Sequence, residues 1–444
     1  MGEKKDIKAN GWALIPFLVF AAFYVGMSLY AGSCGVKMPW YAVKMPIAFL
    51  VASAVSLAMC RRKTLEERID MFAFGMGETN IMMMCLIFIL AGAFATVTKT
   101  SGAVDAAVDM ALSVVPAKLM VAGVFIVSCL ISTAIGTSCG TIAAVVPIAL
   151  GVAGRLELAP ALLVGAVVGG AMFGDNLSMI SDTTIAATRT QNVRMKDKFF
   201  ANVKIAMPAA LVALVLYAVH ATASANVSIP PIGWRDAVLV FPYVFVLVFA
   251  LVGFNVMALL FSGTVLAAAI GIAFGKFTLL GSLSTIGSGL LNQDMCETMI
   301  VAILAGGLFR SIQTNGGILW LTNGVSRCIR GARSCEAGMA ALVALVNCFT
   351  ANNTVAIVIA GPVANDCSKR FGAEPVRIAS VLDTVSCIVQ GIIPYGAQVL
   401  IAIALSKGAV EFGSLVRYMY YQPLLLLAVV ASMMLKSKKG NKPS

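Results

Sequence analysis

Apolar runs of about 20 residues recur along the chain, each long enough to cross a bilayer core as a helix, and short polar links separate them. Read from this pattern, spans 1, 2 and 3 fall at roughly 11–31, 42–60 and 79–98. A basic, amphipathic link at 61–77 joins the second and third, and a short interfacial segment with Asp105 and Asp109 follows. The stretch 117–155 is apolar but interrupted by Ser132, Thr133, Gly136, Thr137, Ser138, Gly140 and Thr141. Its polar tip suits a re-entrant helical hairpin, since irregular backbone at membrane depth is tolerated only inside protein or along a cavity. Span 4, 159–190, breaks at 174–182, and span 5 runs from 199 to 221 with Pro208 as a kink site.

The same plan then repeats. Spans 6 and 7 lie within 234–275, an amphipathic link at 276–292 precedes span 8 at 295–313, and a second hairpin occupies 336–372. Span 9, 376–407, breaks at 391–396, and span 10 runs from 414 to 435. The register supports a duplication: Leu90-Ala91-Gly92 matches Leu304-Ala305-Gly306 at an offset of 214, and Pro147 matches Pro362 at 215. Five spans per half is an odd number, so the halves, 1–222 and 223–444, enter the membrane in opposite orientations. The expected fold is an all-α polytopic membrane protein of two inverted repeats, each with five spans and one re-entrant hairpin, and with helices broken at the midplane. That is a plan of secondary transporters.

Composition sharpens the class: 60% of residues are hydrophobic and 12% charged. The net charge of +12 is carried in clusters at the links, such as Arg61, Arg62, Lys63 and Arg68, or Arg194, Lys196 and Lys198. With the N-terminus inside, about 23 basic residues fall on cytoplasmic links and about 9 outside, which fits the positive-inside rule. Both termini are then cytoplasmic and the chain sits in the cell membrane. Basic links next to anionic lipid, without interleaved aromatics, argue against nucleic-acid binding. Lys4, Lys5 and Lys8 precede an apolar run at 12–30 that exceeds a signal-peptide core, so it is read as a retained first span. The cysteines sit mostly singly in apolar runs and show no metal-ligand spacing; the single His220 excludes a histidine relay. No cofactor is expected.

The chemistry gathers at the breaks and hairpin tips. Ionisable groups at membrane depth are costly and usually functional. The first half supplies Thr137 and Ser138 from its hairpin, with Asp175, Asn176, Ser178, Ser181, Asp182 and Thr183 from its break. The second supplies Asn352, Asn353 and Thr354 from its hairpin, Gln390, Tyr395 and Gln398 from its break, and Asp383 one or two turns earlier. Carbonyl, hydroxyl and amide oxygens can replace the water around a small hard cation, and a carboxylate neutralises it. Asp175 and Asp182 are the expected Na⁺ ligands. A carboxylate that takes either H⁺ or Na⁺ couples the two by competition, because burial favours its protonated form and a cation its ionised form. Structural readings stand beside these. Asp175 or Asp182 could cap a helix, Asp383 could serve as a hydrogen-bonding group, and Gly165, Gly169 and Gly170 read as close-packing positions.

At Gly174-Asp175-Asn176-Leu177-Ser178-Met179-Ile180-Ser181-Asp182-Thr183-Thr184 the chain resembles the NhaC family of Na⁺/H⁺ antiporters, whose signature is G-D-x-x-S-P-x-S-D-T-T; Met179 replaces the proline. The hairpin tips also resemble those of the wider ion transporter superfamily, with Asn353-Thr354 matching two positions and Thr137-Ser138-Cys139 matching loosely. This resemblance implies Na⁺/H⁺ exchange, a scaffold of spans 1–3 and 6–8, and a moving domain of hairpins and broken helices. Related carriers are often dimers, so a homodimer is one expected arrangement. The alternative within the same class is a Na⁺- or H⁺-coupled exchanger of a small carboxylate or amino acid. No arginine at mid-depth offers an anion clamp, which weighs mildly against it. An intramembrane aspartyl protease is disfavoured, because Met172 occupies the first glycine position of G-x-G-D and no Tyr-Asp partner motif is present.

Overall fold

The computed structural model describes residues 8–36, 44–59, 64–220 and 233–435. Lys4, Lys5, Arg61, Arg62, Lys63, Lys436, Lys438, Lys439 and nearly all of the 222–233 link lie outside the described residues. Among the described residues all regular structure is helical, and eleven helices are long and apolar enough to cross a membrane. The chain is a multi-pass membrane protein.

The first half runs α1 (Ile15–Ser33), α2 (Met45–Met59), α3 (Leu65–Met76), α4 (Thr79–Ser101), α5 (Ala103–Val114), α6 (Met120–Ile135), α7 (Ser138–Arg155), α8 (Pro160–Leu177), α9 (Asp182–Gln191) and α10 (Met195–His220). The second runs α11 (Trp234–Leu251), α12 (Val256–Ala273), α13 (Leu279–Leu290), α14 (Gln293–Thr314), α15 (Gly317–Cys328), α16 (Ala332–Thr350), α17 (Asn353–Phe371), α18 (Pro375–Ile392), α19 (Ala397–Leu405), a short α20 (Phe412–Arg417) and α21 (Tyr421–Leu435). Apart from α20, the element order of the first half is repeated in the second.

Local signals set many of these boundaries. Thr64 and Glu67 form a reciprocal capping box that starts α3 within the basic link. Asn292 caps α14, accepting from the backbone N–H groups of Asp294 and Met295. Gly102 and Gly316 take nearly the same left-handed backbone, φ 86° and 85°, where α4 turns into α5 and α14 into α15. The segment expected at the interface is therefore a helix, α5, and Asp109 in it forms an ion pair with Arg155.

Three expectations are corrected. The helix of span 4 does not break at Gly174 but continues through Asp175 and Asn176 to Leu177, because its last turn is packed on all sides by protein. Span 10 is divided, with α20 ending at Arg417 and α21 starting at Tyr421. Lys198, grouped with a cytoplasmic basic link, lies inside α10 with its side chain 1% exposed.

The broken helices form the centre. Among the described residues, an apolar 18-residue window of the α8–α9 stretch is 89% buried, more than in any other membrane-length helix, against 28% for α11, so the former is core and the latter faces outward. Small residues permit this. A Cβ on Gly170 would lie 2.5 Å from the Phe125 carbonyl oxygen, and one on Gly165 would lie 2.7 Å from that of Tyr418.

Candidate functional site

Both hairpins are strapped to a broken helix by equivalent bonds. In the first half Ser132 Oγ donates to the Ala171 carbonyl at 2.6 Å; in the second Asn347 Nδ2 donates to the Ser386 carbonyl at 2.8 Å, each position 215 residues on. The two breaks also match in backbone. Ser178 ends α8 at φ −63°, ψ 134°, and Ile393 ends α18 at φ −64°, ψ 133°. Each break leaves carbonyls unpaired at one helix end and N–H groups at the next helix start.

Asp175 occupies the last turn of α8, 4% exposed. Its carboxylate accepts from Ser138 Oγ at 2.8 Å, at the tip of the first hairpin, and from Ser181 Oγ at 2.5 Å, across the break. Ser138 Oγ accepts from Gln398 Nε2 at 2.9 Å, and Gln398 Oε1 accepts from Gln390 Nε2 at 3.0 Å. Gln390 Nε2 also donates to the Ala351 carbonyl at the second hairpin tip, 2.9 Å away. One chain of hydrogen bonds thus ties both tips to both breaks.

These groups face a cavity of about 280 Å³. Thr137, Ser138, Asp175, Ser181, Asp182, Thr183, Asn352, Asn353, Thr354, Gln390 and Gln398 line it, as do Asn80 and Asn255. Among the described residues no Lys or Arg does. The first residues of α7, α9, α12, α17 and α19 all reach the cavity, so five helix N-termini bring their positive dipole ends to it. Asp182 is exposed and starts α9, whose cap is Ser181, the acceptor of the Thr183 N–H. Neither aspartate is a cap. Asn352 does cap α17, its side chain accepting from the Val355 N–H at 3.0 Å.

The structure does not bring four of the expected site residues to this cavity. Tyr395 donates to the Cys348 carbonyl at 2.7 Å and packs among Phe17, Phe20 and Phe49. Ser178 is buried in the break, its carbonyl accepting from Thr184 Oγ1. Asn176 and Asp383 belong to a second polar cluster, which sequence reasoning missed. There, Lys198 Nζ lies 2.5 Å from Asp383 Oδ2 and donates to Thr184 Oγ1 at 2.7 Å and to the Asn176 carbonyl at 3.0 Å. Asn202 Nδ2 donates to Asp383 Oδ2 at 2.8 Å and to Asn176 Oδ1 at 2.7 Å. Removing one partner of such a buried ion pair costs about 3–5 kcal/mol, because the other charge is left alone. The signal was the four-residue spacing of Lys198 and Asn202 at the head of a long apolar helix, which puts both on one face.

A multi-pass helical protein with two broken helices meeting two hairpin tips around a polar internal cavity has the form of a membrane transporter. Residues 8–222 match the Na⁺/H⁺ antiporter family. The chain is 24% identical over 391 residues to the Na⁺/H⁺ antiporter NhaC of Bacillus subtilis (strain 168), covering 80% of this chain and 84% of that protein. Among solved structures, the YdaH transporter of Alcanivorax borkumensis is similar over 80% of this chain and 85% of that one, at 15% identity and a TM-score of 0.39. The resemblance drawn from Gly174 to Thr184 thus extends to most of the chain, and the family it points to consists of transporters, not enzymes.

Proposed function

We propose that this protein is a Na⁺/H⁺ antiporter in which Asp175 is the exchanging carboxylate. The observation that carries this reading is the placement of Asp175: a buried acid on a helix end, bonded to a hairpin tip and to its own break, facing a cavity that no Lys or Arg among the described residues lines. H⁺ and Na⁺ compete for it. Hydroxyl, amide and carbonyl oxygens of Thr137, Ser138, Ser181, Thr183, Asn352 and Asn353 supply neutral ligands for the metal ion. Asp182, at the exposed rim, raises the local cation concentration rather than coordinating deeply.

Transport proceeds by alternating access between two inverted repeats, with hairpins and broken helices moving against the scaffold in the cell membrane and both termini cytoplasmic. The meeting of each hairpin tip with a helix break supports hairpins that turn back at mid-depth. The direct test is a Na⁺ pulse applied to proteoliposomes loaded with a pH-sensitive dye. Proton movement on Na⁺ alone is expected; no movement in sealed, protein-containing vesicles rejects the reading.

A second reading, coupled exchange of a small carboxylate or amino acid, is favoured by two observations. The cavity exceeds the size of a bare ion, and five helix N-termini converge on it, an arrangement that suits a carboxylate. Strict dependence of flux on an added organic acid would select it.

A further inference from the structure

Lys198 is a charged side chain sealed from solvent, and the exchange scheme above makes no use of it. Three oxygens of three kinds converge on its Nζ: the Asp383 carboxylate at 2.5 Å, the Thr184 hydroxyl at 2.7 Å and the Asn176 carbonyl at 3.0 Å. They come from α18, α9 and the end of α8, while the ammonium arrives from α10. The Asn176 carbonyl is available because α8 stops one residue later. Carboxylate, hydroxyl and helix-end carbonyl form the all-oxygen shell that small hard cations take. Oxygen supply in the cluster exceeds what the ammonium uses, for the buried Asp383 Oδ1 and Asn202 Oδ1 have no hydrogen-bond partner among the described residues.

We propose that this cluster is a second cation pocket, filled by a tethered cation: the Lys198 ammonium occupies the place of a free alkali-metal ion. Of the two buried aspartates, Asp383 is thereby neutralised within the chain and only Asp175 exchanges its cation. Lys198 sets how many ions the core can hold. Removing its side chain opens the pocket to Na⁺ without altering the cavity.

The test is ²²Na⁺ binding and thermal melting of the purified full chain, in NaCl against choline chloride at equal ionic strength. It is made in an Asp175→Asn background so that the cavity is silenced. Adding Lys198→Ala is expected to create about one saturable Na⁺ site per chain, with a melting temperature that climbs with NaCl. Adding Asp383→Asn to that pair is expected to abolish both. A monodisperse Asp175→Asn/Lys198→Ala protein that binds no more Na⁺ than Asp175→Asn overturns the proposal, as does added binding that survives Asp383→Asn. If the Lys198→Ala protein aggregates in choline, recovery in NaCl supports the pocket. Aggregation in both media, while Lys198→Ala/Asp383→Asn stays monodisperse, counts against it. If Asp175→Asn alone keeps wild-type Na⁺ binding, the reading of the cavity fails, and the pocket is still judged by the increment from Lys198→Ala.

Discussion

The two helix breaks share a backbone and differ in chemistry. Each ends its helix in the same extended conformation, restarts after four intervening residues and lies against the tip of its own hairpin. At the position where α8 carries Asp175, α18 carries Gln390, and both bind a hairpin tip, one as a charge and the other as a neutral amide. Between the helices the first break presents Ser178 and Ser181, while the second turns Ile393 and Tyr395 toward an apolar cluster that holds Phe20 and Phe49. The two halves share the element order that exposes these helix ends. Ion chemistry requires charge as well, and at the breaks themselves the first half holds it.

The largest effect expected from this comparison is that of Asp175→Asn. The amide keeps the shape but not the charge, so Na⁺-driven proton flux should fall to the level of empty vesicles while the protein still inserts. Flux near the wild-type rate would move the exchange site elsewhere. Next comes Gly174→Ala, because its Cβ would lie 2.5 Å from both Ser132 Cβ and the Thr133 nitrogen, at the seam between hairpin and broken helix. Overpacking of this kind costs about 1–3 kcal/mol, and a lower melting temperature together with slower exchange is the expected result. Asp182→Asn sits lower than the sequence alone suggests. Exposed charges contribute about 0.2–1 kcal/mol, so the Na⁺ half-saturation should rise by no more than about fivefold with exchange retained. The smallest effect is that of Tyr395→Phe in the second break. It removes one hydrogen bond, worth about 0.5–1.5 kcal/mol, and should lower stability slightly with exchange rates unchanged; a lost exchange activity would place the second break in the ion pathway.

Most of the helices were legible because a bilayer imposes a single length and polarity on every span. Their ends were less so. The α8 terminus was expected at Gly174 because glycine and aspartate signal a stop in isolation, whereas the packed hairpin supports another turn. The cavity wall was legible at Thr137, Ser138, Asp175, Asn352 and Asn353, since polar residues stand out against apolar neighbours. Tyr395 looked similar, yet its ring faces Phe17, Phe20 and Phe49, a preference that no local pattern reveals.

By itself the sequence determined a multi-pass helical protein with a duplicated element order, two interrupted helices and a carboxylate-bearing motif, because hydrophobic length and polar interruption are local properties. Only the tertiary structure decided which acid is buried and which is exposed, and that Lys198 leaves the basic link to pair with Asp383 185 residues away. The reason is physical. The state of a charge is set by the groups packed around it, and those groups come from helices distant in the chain.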